Sequence, residues 1–390
     1  MKEALHHETS MPSEFNKKNV LLFGFIGVLV ALFAVSAITS LTQGGHHVWG
    51  TSHEVPWGFL ITGYVFFAVG CTGICLVSSL GHVFHVKAFH SMGIRPAVLA
   101  VMSMITAFIV IALEMKYPLN LMIYMVFSPN ITSPFILMGL LYSIYLVCLI
   151  LEIAFYAIGK EKWSRLATIF AIITGVSASA NLGLVFGGQV GRAFWNAPMF
   201  PILLISSALV SGAASLIILY YFVDRADSKL NKNFLVEKLS KLLGGFIVLF
   251  GAISAFNLYN SLNSPSLERQ EAARFLLSGD YSISFWVFEV AFLVIPLIIV
   301  LFFSKKQLWV MLSSVMALIG LAFSRQNQIS AGQIVSLSPD GQSPIKLLEY
   351  FPTWVELGIV VGGLGVVILG YLVLERVVVF AKEKLSGKFS

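Results

Sequence analysis

Four glutamates stand in or against long apolar runs, and they are the residues best placed to do chemistry there. Glu114 closes one run, Glu289 lies inside another, Glu356 opens a third and Glu152 sits towards the far end of a fourth. An ionisable group at membrane depth is costly, so each is a functional candidate by default. The chemistry they suit is proton exchange, because burial raises the pKa of a carboxyl towards neutrality. Asn181, Asn257 and Asn260 add amides in similar runs, and the segment 43–56 adds His46, His47, His53 and Glu54. A histidine near neutral pH serves the same purpose. All of these except Glu152 fall towards one side of the chain's apolar runs. Polar groups can also simply hold helices together, but the asymmetry of the set favours function.

Metal chemistry finds no support. All 8 histidines lie within the first 90 positions, and only His82, His85 and His90 belong to a helical stretch. No second run offers a histidine to face them, so a haem held by two histidines is not expected in this chain. His82 and His85 read as residues at a membrane surface. Cys71, Cys75 and Cys148 sit inside apolar runs at spacings that suit neither zinc nor an iron–sulfur cluster, and read as packing residues.

The elements that must position these residues are membrane helices. Of 390 residues, 57% are hydrophobic and only 11% charged, against about 25% charged in soluble domains. A span needs about 20 mostly apolar residues. Ten runs qualify: Val20–Leu41, Trp57–Val86, Pro96–Leu113, Ser133–Ile158, Leu166–Phe186, Met199–Val223, Leu242–Leu262, Ile283–Phe303, Leu308–Phe323 and Trp354–Leu374. Val20–Leu41 is too long for a signal-peptide core and reads as a retained span. Lys and Arg set the direction. The termini and the connections after the even-numbered spans carry all but Lys116, Arg192, Arg269, Arg274, Arg325 and Lys346 of the 25 basic residues. The positive-inside rule then makes both termini cytoplasmic. The net charge of +6 is read as topology, not as a nucleic-acid footprint. On the outer side the connections are polar and poor in positive charge, the longest being Ser264–Asp280 and Gln326–Pro352.

Pro56 is followed by Gly70 and Gly73, and Pro198 by Gly212 and Ser215 at the same offsets. Small residues at this spacing permit close helix packing. The echo predicts a single membrane domain, 1–390, built as two four-helix bundles, 57–186 and 199–323. Flanking helices at 20–41 and 354–374 and a cytoplasmic tail at 1–19 complete it.

Several motifs resemble one family in order and position. Trp49-Gly50, Pro56-Trp57-Gly58, Tyr64-Val-Phe and Gly70-x-x-Gly73 are similar to the start of the NrfD, or polysulfide reductase membrane subunit, family. Leu113-Glu-Met-Lys-Tyr-Pro118 falls where that family often has Leu-Asp-Leu-Gly-Arg-Pro, and Ser128-Pro-Asn-Ile-Thr-Ser-Pro134 with Met138-Gly139 continues the likeness. Arg192-x-Phe-Trp-Asn-x-Pro198, Arg325-x-Asn327, Gly332-Gln333 and Tyr350-Phe-Pro-Thr-Trp-x-Glu356 resemble its ten-helix branch, which includes hydrogenase and sulfite-reductase-complex subunits.

The resemblance implies an inner-membrane subunit of a quinone-linked oxidoreductase. It implies a menaquinone or other quinone as reactant, no haem or iron–sulfur cluster within the chain, a ferredoxin-like iron–sulfur subunit docked on the periplasmic face and a molybdopterin catalytic subunit beyond it. The quinone head group is then expected among His53, Glu54, Trp57, Tyr64, Glu114 and Tyr117. Tyr117 stands where the family often has Arg, and Glu114 where it has Asp, so a carboxylate role survives and an anion-pairing role does not. Arg192, Asn327, Gln333 and Glu356 are further motif positions. Glu152, Asn181 and Glu289 are candidates for a proton path. A purely structural anchor and a secondary transporter are the alternative readings.

Overall fold

The computed structural model describes residues 17–115, 117–128, 130–222, 232–334 and 348–386. Most of the N-terminal tail, Lys116 and Lys346 lie outside the described residues. The chain is all α. Its helices are α1 (Lys17–Gln43), α2 (Phe59–His82), α3 (Arg95–Glu114), α4 (Pro118–Phe127), α5 (Pro134–Ala157), α6 (Glu161–Gly187), α7 (Phe200–Phe222), α8 (Lys232–Leu262), α9 (Leu267–Ser278), α10 (Phe292–Phe303), α11 (Gln307–Ile334) and α12 (Trp354–Ser386). Ten are long and apolar enough to cross a membrane, with α10 counted together with the π-helical segment Ser284–Ala291 before it. Each coincides with one of the ten apolar runs.

Local chemistry explains the ends. Pro96 and Pro134 stand in the first turns of α3 and α5, where a missing N–H costs nothing. The start of α9 is set differently: Ser266 caps it by accepting from the Arg269 N–H. Pro296 lies inside α10, and the wider π winding comes before it in the same span; proline removes one donor and crowds the preceding turn. The apolar run predicts one helical span there, and the structure has one, wound as π over its first 8 residues and as α through Pro296.

In the first bundle α2 packs on α3, α3 on α5, α5 on α6 and α6 on α2. In the second, α7 packs on α8, α8 on α10, α10 on α11 and α11 on α7. The bundles meet mainly where α2 crosses α7. Gly73 and Gly212 make that crossing possible, since a Cβ on Gly73 would overlap the Ala208 carbonyl and one on Gly212 would overlap the Gly73 backbone. Gly70, from the same echo, faces open space. Outside the bundles α1 lies along α12, which rests on α3. Residues such as Leu21, Phe25, Leu301 and Phe302 point outward as a lipid-facing belt.

Several boundaries differ from expectation, each for a visible reason. The ninth span runs on from Phe323 to Ile334 because its polar continuation turns inward into the protein and not out to water. Consequently Arg325 is not a loop residue, and the long connection expected from residue 326 is shorter by that helical extension. The seventh span starts at Lys232 instead of Leu242, through a charged first stretch in which Lys241 bonds Glu237 at 2.9 Å. The connection expected to be polar between residues 114 and 132 holds α4, an apolar helix too short to span, with Leu119, Ile123, Tyr124 and Phe127 exposed. Ser264–Asp280 is mostly the helix α9.

Candidate functional site

The segment joining α1 to α2 runs across one end of both bundles, here called the Trp57 end. Three side chains from distant parts of the chain pin it. The Gln333 amide donates to Trp57 O at 2.9 Å and accepts from Trp57 N at 2.9 Å. Arg192 donates to Glu54 O at 3.2 Å and to Gln333 O at 3.3 Å, so one guanidinium ties this segment to the end of α11. Glu356, fully buried, accepts from Gly50 N at 2.9 Å, Phe59 N at 3.1 Å, Tyr350 Oη at 2.6 Å and Thr353 N at 2.9 Å. Thr353 Oγ1 approaches the same carboxylate at 3.3 Å. These donors explain two glycines: a Cβ on Gly58 would overlap the carboxylate, and one on Gly50 would overlap Phe351 O.

The carboxylate serves the N-termini of α2 and α12 together, where unpaired N–H groups and the helix dipoles favour negative charge. The Tyr350 phenol that bonds it is held above its ordinary range, first by burial and then by the Glu356 charge beside it. Burial likewise lowers the Arg192 guanidinium from its ordinary value. Trp57 itself stacks on Trp195 at 4.8 Å between centroids and meets Phe186 edge-on at 5.2 Å.

Around this frame the six expected head-group residues divide. Glu114 is half-buried at the end of α3, within electrostatic reach of Glu356. Trp57 is half-buried in its aromatic stack. Tyr64 is buried inside the first bundle with its ring edge-on to Tyr142, 6.3 Å away. The side chains of His53, Glu54 and Tyr117 are exposed. The six therefore stand at three levels of burial, exposed, half-buried and buried, and do not form one closed cluster of buried groups.

The three proton-path candidates are also separate. Glu152 is buried between α5 and α6, where Ser164 Oγ donates to its backbone carbonyl at 3.0 Å. Asn181 donates to Pro134 O and fastens α6 to the start of α5. Glu289 lies in the second bundle, on the π-helical turn, and accepts from Asn327 Nδ2 at 2.7 Å. Ser284 Oγ donates to Asn327 Oδ1 at 2.6 Å.

At the centre of this polar interior the sequence marks Asn327 as a motif position but not the inward placement of Arg325 and Gln326. Arg325, Gln326 and Asn327 are consecutive on α11 and reach three different helices. Arg325 reaches α7 through Ser207 and Ser211, Gln326 accepts from Thr62 of α2 at 2.7 Å, and Asn327 holds Glu289. Counting Arg325 as a topological charge hid this. The signal was available in Ser324-Arg-Gln-Asn-Gln-Ile-Ser330, a polar run with Gln333 one turn further along the same helix. Among the described residues no group of three or more His, Cys, Asp or Glu could hold a metal ion.

Comparison with known proteins fits this architecture. The family model for polysulphide reductase, NrfD, matches residues 47–336, which takes in the pinned segment and both bundles. A selenate reductase subunit from Mesobacillus selenatarsenatis is 24% identical over 93% of this chain and 95% of its own. The Hdr-like menaquinol oxidoreductase integral membrane subunit of Archaeoglobus fulgidus is 26% identical over 75% of this chain and 74% of its own. A probable Ni/Fe-hydrogenase 2 b-type cytochrome subunit of Escherichia coli is 26% identical over 95% and 94% respectively. These relatives are named as subunits of a reductase, a menaquinol oxidoreductase and a hydrogenase, and with ten spanning helices and a family match over most of its length, this chain is a multi-pass membrane protein belonging to the NrfD polysulphide reductase family.

Proposed function

We propose that this protein is the quinone-reactive membrane subunit of its oxidoreductase complex. It would exchange electrons between a quinone, menaquinone or another, and an iron–sulfur subunit docked over the Trp57 end on the periplasmic side. A molybdopterin subunit would complete the complex. The observation that carries this reading is the half-buried Glu114 within electrostatic reach of Glu356, which with Gln333 and Arg192 pins the segment before α2. A quinone head group needs a hydrogen-bond partner that exchanges protons, in an apolar setting that is open to lipid. Glu114 supplies the first, and the exposed apolar face of α4 next to it supplies the second.

The charge alternation supports this polarity. Arg325 is buried within α11 at 2% exposure and so does not count as a charge of an outer loop, and the inner side keeps its excess. Both termini would then be cytoplasmic. The carboxyls Glu152 and Glu289, with Asn181, are the positions through which proton movement would be tested.

The direct test is to purify the complex with its natural partners and measure bound quinone and the effect of quinone analogues on electron transfer. Stoichiometric quinone and analogue inhibition are expected. A complex that turns over with neither would leave a structural anchor as the better reading.

A further inference from the structure

Arg325 is only 2% exposed, yet among the described residues no carboxylate stands within ion-pair distance of it. Its surroundings are neutral. Nη2 donates to Ser207 Oγ at 3.3 Å and Ser211 Oγ at 3.2 Å, and Nη1 to Phe66 O at 3.4 Å. The Phe66 ring lies 5.3 Å from the guanidinium carbon, and Nε has no partner among the described residues. A guanidinium does not give up its proton. An uncompensated charge at membrane depth is among the most expensive features a helix bundle can carry. The buried carboxyls Glu356 and Glu289 are engaged elsewhere: Glu356 on backbone N–H groups and Glu289 on Asn327. This cage solvates the charge without cancelling it.

Two sets of hydrogen-bonded groups lie near that charge without bonding to it, one through the adjacent Gln326 and one within its field at Tyr142. Towards the Trp57 end, Thr62 bonds Gln326, which bonds Ser330 at 2.7 Å. Deeper in the first bundle, Tyr142 and Ser179 are 3.1 Å apart and Ser179 donates to Thr72 at 2.9 Å. Tyr145 Oη donates to Cys71 O at 3.1 Å, and Glu152 follows on the same face of α5 as Tyr142 and Tyr145. Tyr142 lies within reach of the Arg325 field. Without that charge, the bundle interior would offer hydrogen-bonding groups along much of its length.

We infer that Arg325 is a fixed-charge barrier that stops protons and small cations from leaking across the membrane along the seam between the two bundles. A fixed positive side chain in a polar passage excludes cations and protons by its field, as in selective pores. The role needs the charge to remain uncompensated, which is the arrangement seen. A mere strut would be better served by a paired arginine or by an apolar residue of similar volume.

The test uses the full chain in sealed vesicles with a pH-sensitive dye inside, under an imposed potassium diffusion potential. Neither electron donor nor quinone is added, so the outcome does not depend on the quinone reading. Arg325→Met and Arg325→Gln should raise passive proton entry by roughly tenfold or more, and Arg325→Lys should stay tight. Ser211→Asp places a counter-charge beside the retained arginine and should leak as well. It also keeps the idea testable if the Arg325 variants do not fold. A folded, monodisperse Arg325→Met protein as tight as wild type would overturn the inference. So would an unchanged leak in folded Ser211→Asp, or Arg325→Lys leaking as much as Arg325→Met.

Discussion

Gly73 of α2 and Gly212 of α7 meet with no side chain between them, and a Cβ on either would overlap the backbone of the opposite helix. The contact is the axis on which the two bundles join. It also sets the depth of the polar interior, because Ser211, a hydrogen-bond partner of Arg325, is the residue before Gly212. In lipid, helix association has no hydrophobic driving force between helices and depends on close packing and hydrogen bonds. The crossing and the arginine cage are therefore one construction.

Replacing Gly212 with Leu should separate α2 from α7 and cost about 1–3 kcal/mol or more, the range typical of overpacking. Gly70→Ala is the control, since its Cβ would meet nothing within 4 Å. Thermal unfolding in detergent should show a large drop in Tm for Gly212→Leu and almost none for Gly70→Ala. Equal effects would mean that the crossing is not the weak point.

Glu356 and Tyr350 give a second, pH-dependent expectation. Glu356→Gln replaces an acceptor oxygen with an NH2 group facing N–H donors, and each buried donor left unpaired costs about 1–3 kcal/mol. Tyr350 is held above its ordinary value of 10.0 in the folded protein. A raised pKa means that the folded state keeps a proton which the unfolded state releases, so the stabilisation is complete below about pH 10 and fades as pH rises further. Alkaline unfolding should accordingly be less steep in Tyr350→Phe than in wild type above about pH 10, followed by circular dichroism across a pH series.

How much of this was legible beforehand depends on which physical signal each part carries. Ten spans were readable because lipid demands about 20 apolar residues in a row, and few alternatives satisfy that. The Gly73–Gly212 contact was half-legible: the echo marked both residues, but only the crossing decides that Gly73 meets the α7 backbone while a Cβ on the equally buried Gly70 would meet nothing within 4 Å. Gln333 and Glu356 were visible as motif positions, yet their task was not, because their partners are backbone groups near residues 50–59, which leave no trace in side-chain pattern. Arg325 was misread outright, since an arginine after an apolar run looks the same in sequence whether it meets water or folds inward. The π-helical turn around Glu289 carries no composition signal apart from Pro296 downstream.

The Gln333–Trp57 pair makes a sharper demand on chemistry than on shape. The carboxamide donates to Trp57 O and accepts from Trp57 N at the same time, which an ionised carboxylate, an acceptor only, cannot do. Gln333→Glu keeps the volume but leaves Trp57 O facing a carboxylate. Hydrogen exchange should speed up across residues 48–58 in that variant while α2 below it stays protected. Uniform protection in both segments would show that Glu356 and Arg192 hold the segment without help from Gln333.

Glu114 and Tyr117 should separate under the quinone reading even though they are three residues apart. Glu114 is half-buried and near Glu356, whereas Tyr117 is 63% exposed. A group that passes a proton to a quinone head group in the rate-limiting step contributes about 10²–10⁴ in rate. Glu114→Gln, which keeps the shape and loses the proton, should therefore depress quinone-linked turnover of the intact complex by that order, and Glu114→Asp should recover most of it. Tyr117→Phe should change turnover by less than about threefold, because an exposed phenol does not have the desolvated setting in which one hydrogen bond is worth more. The measurement is steady-state quinol oxidation or quinone reduction, with every variant checked for a full set of partner subunits. Wild-type turnover in Glu114→Gln would remove this carboxyl from the mechanism, and a large loss in Tyr117→Phe alone would shift the head group outward, towards the exposed start of α4.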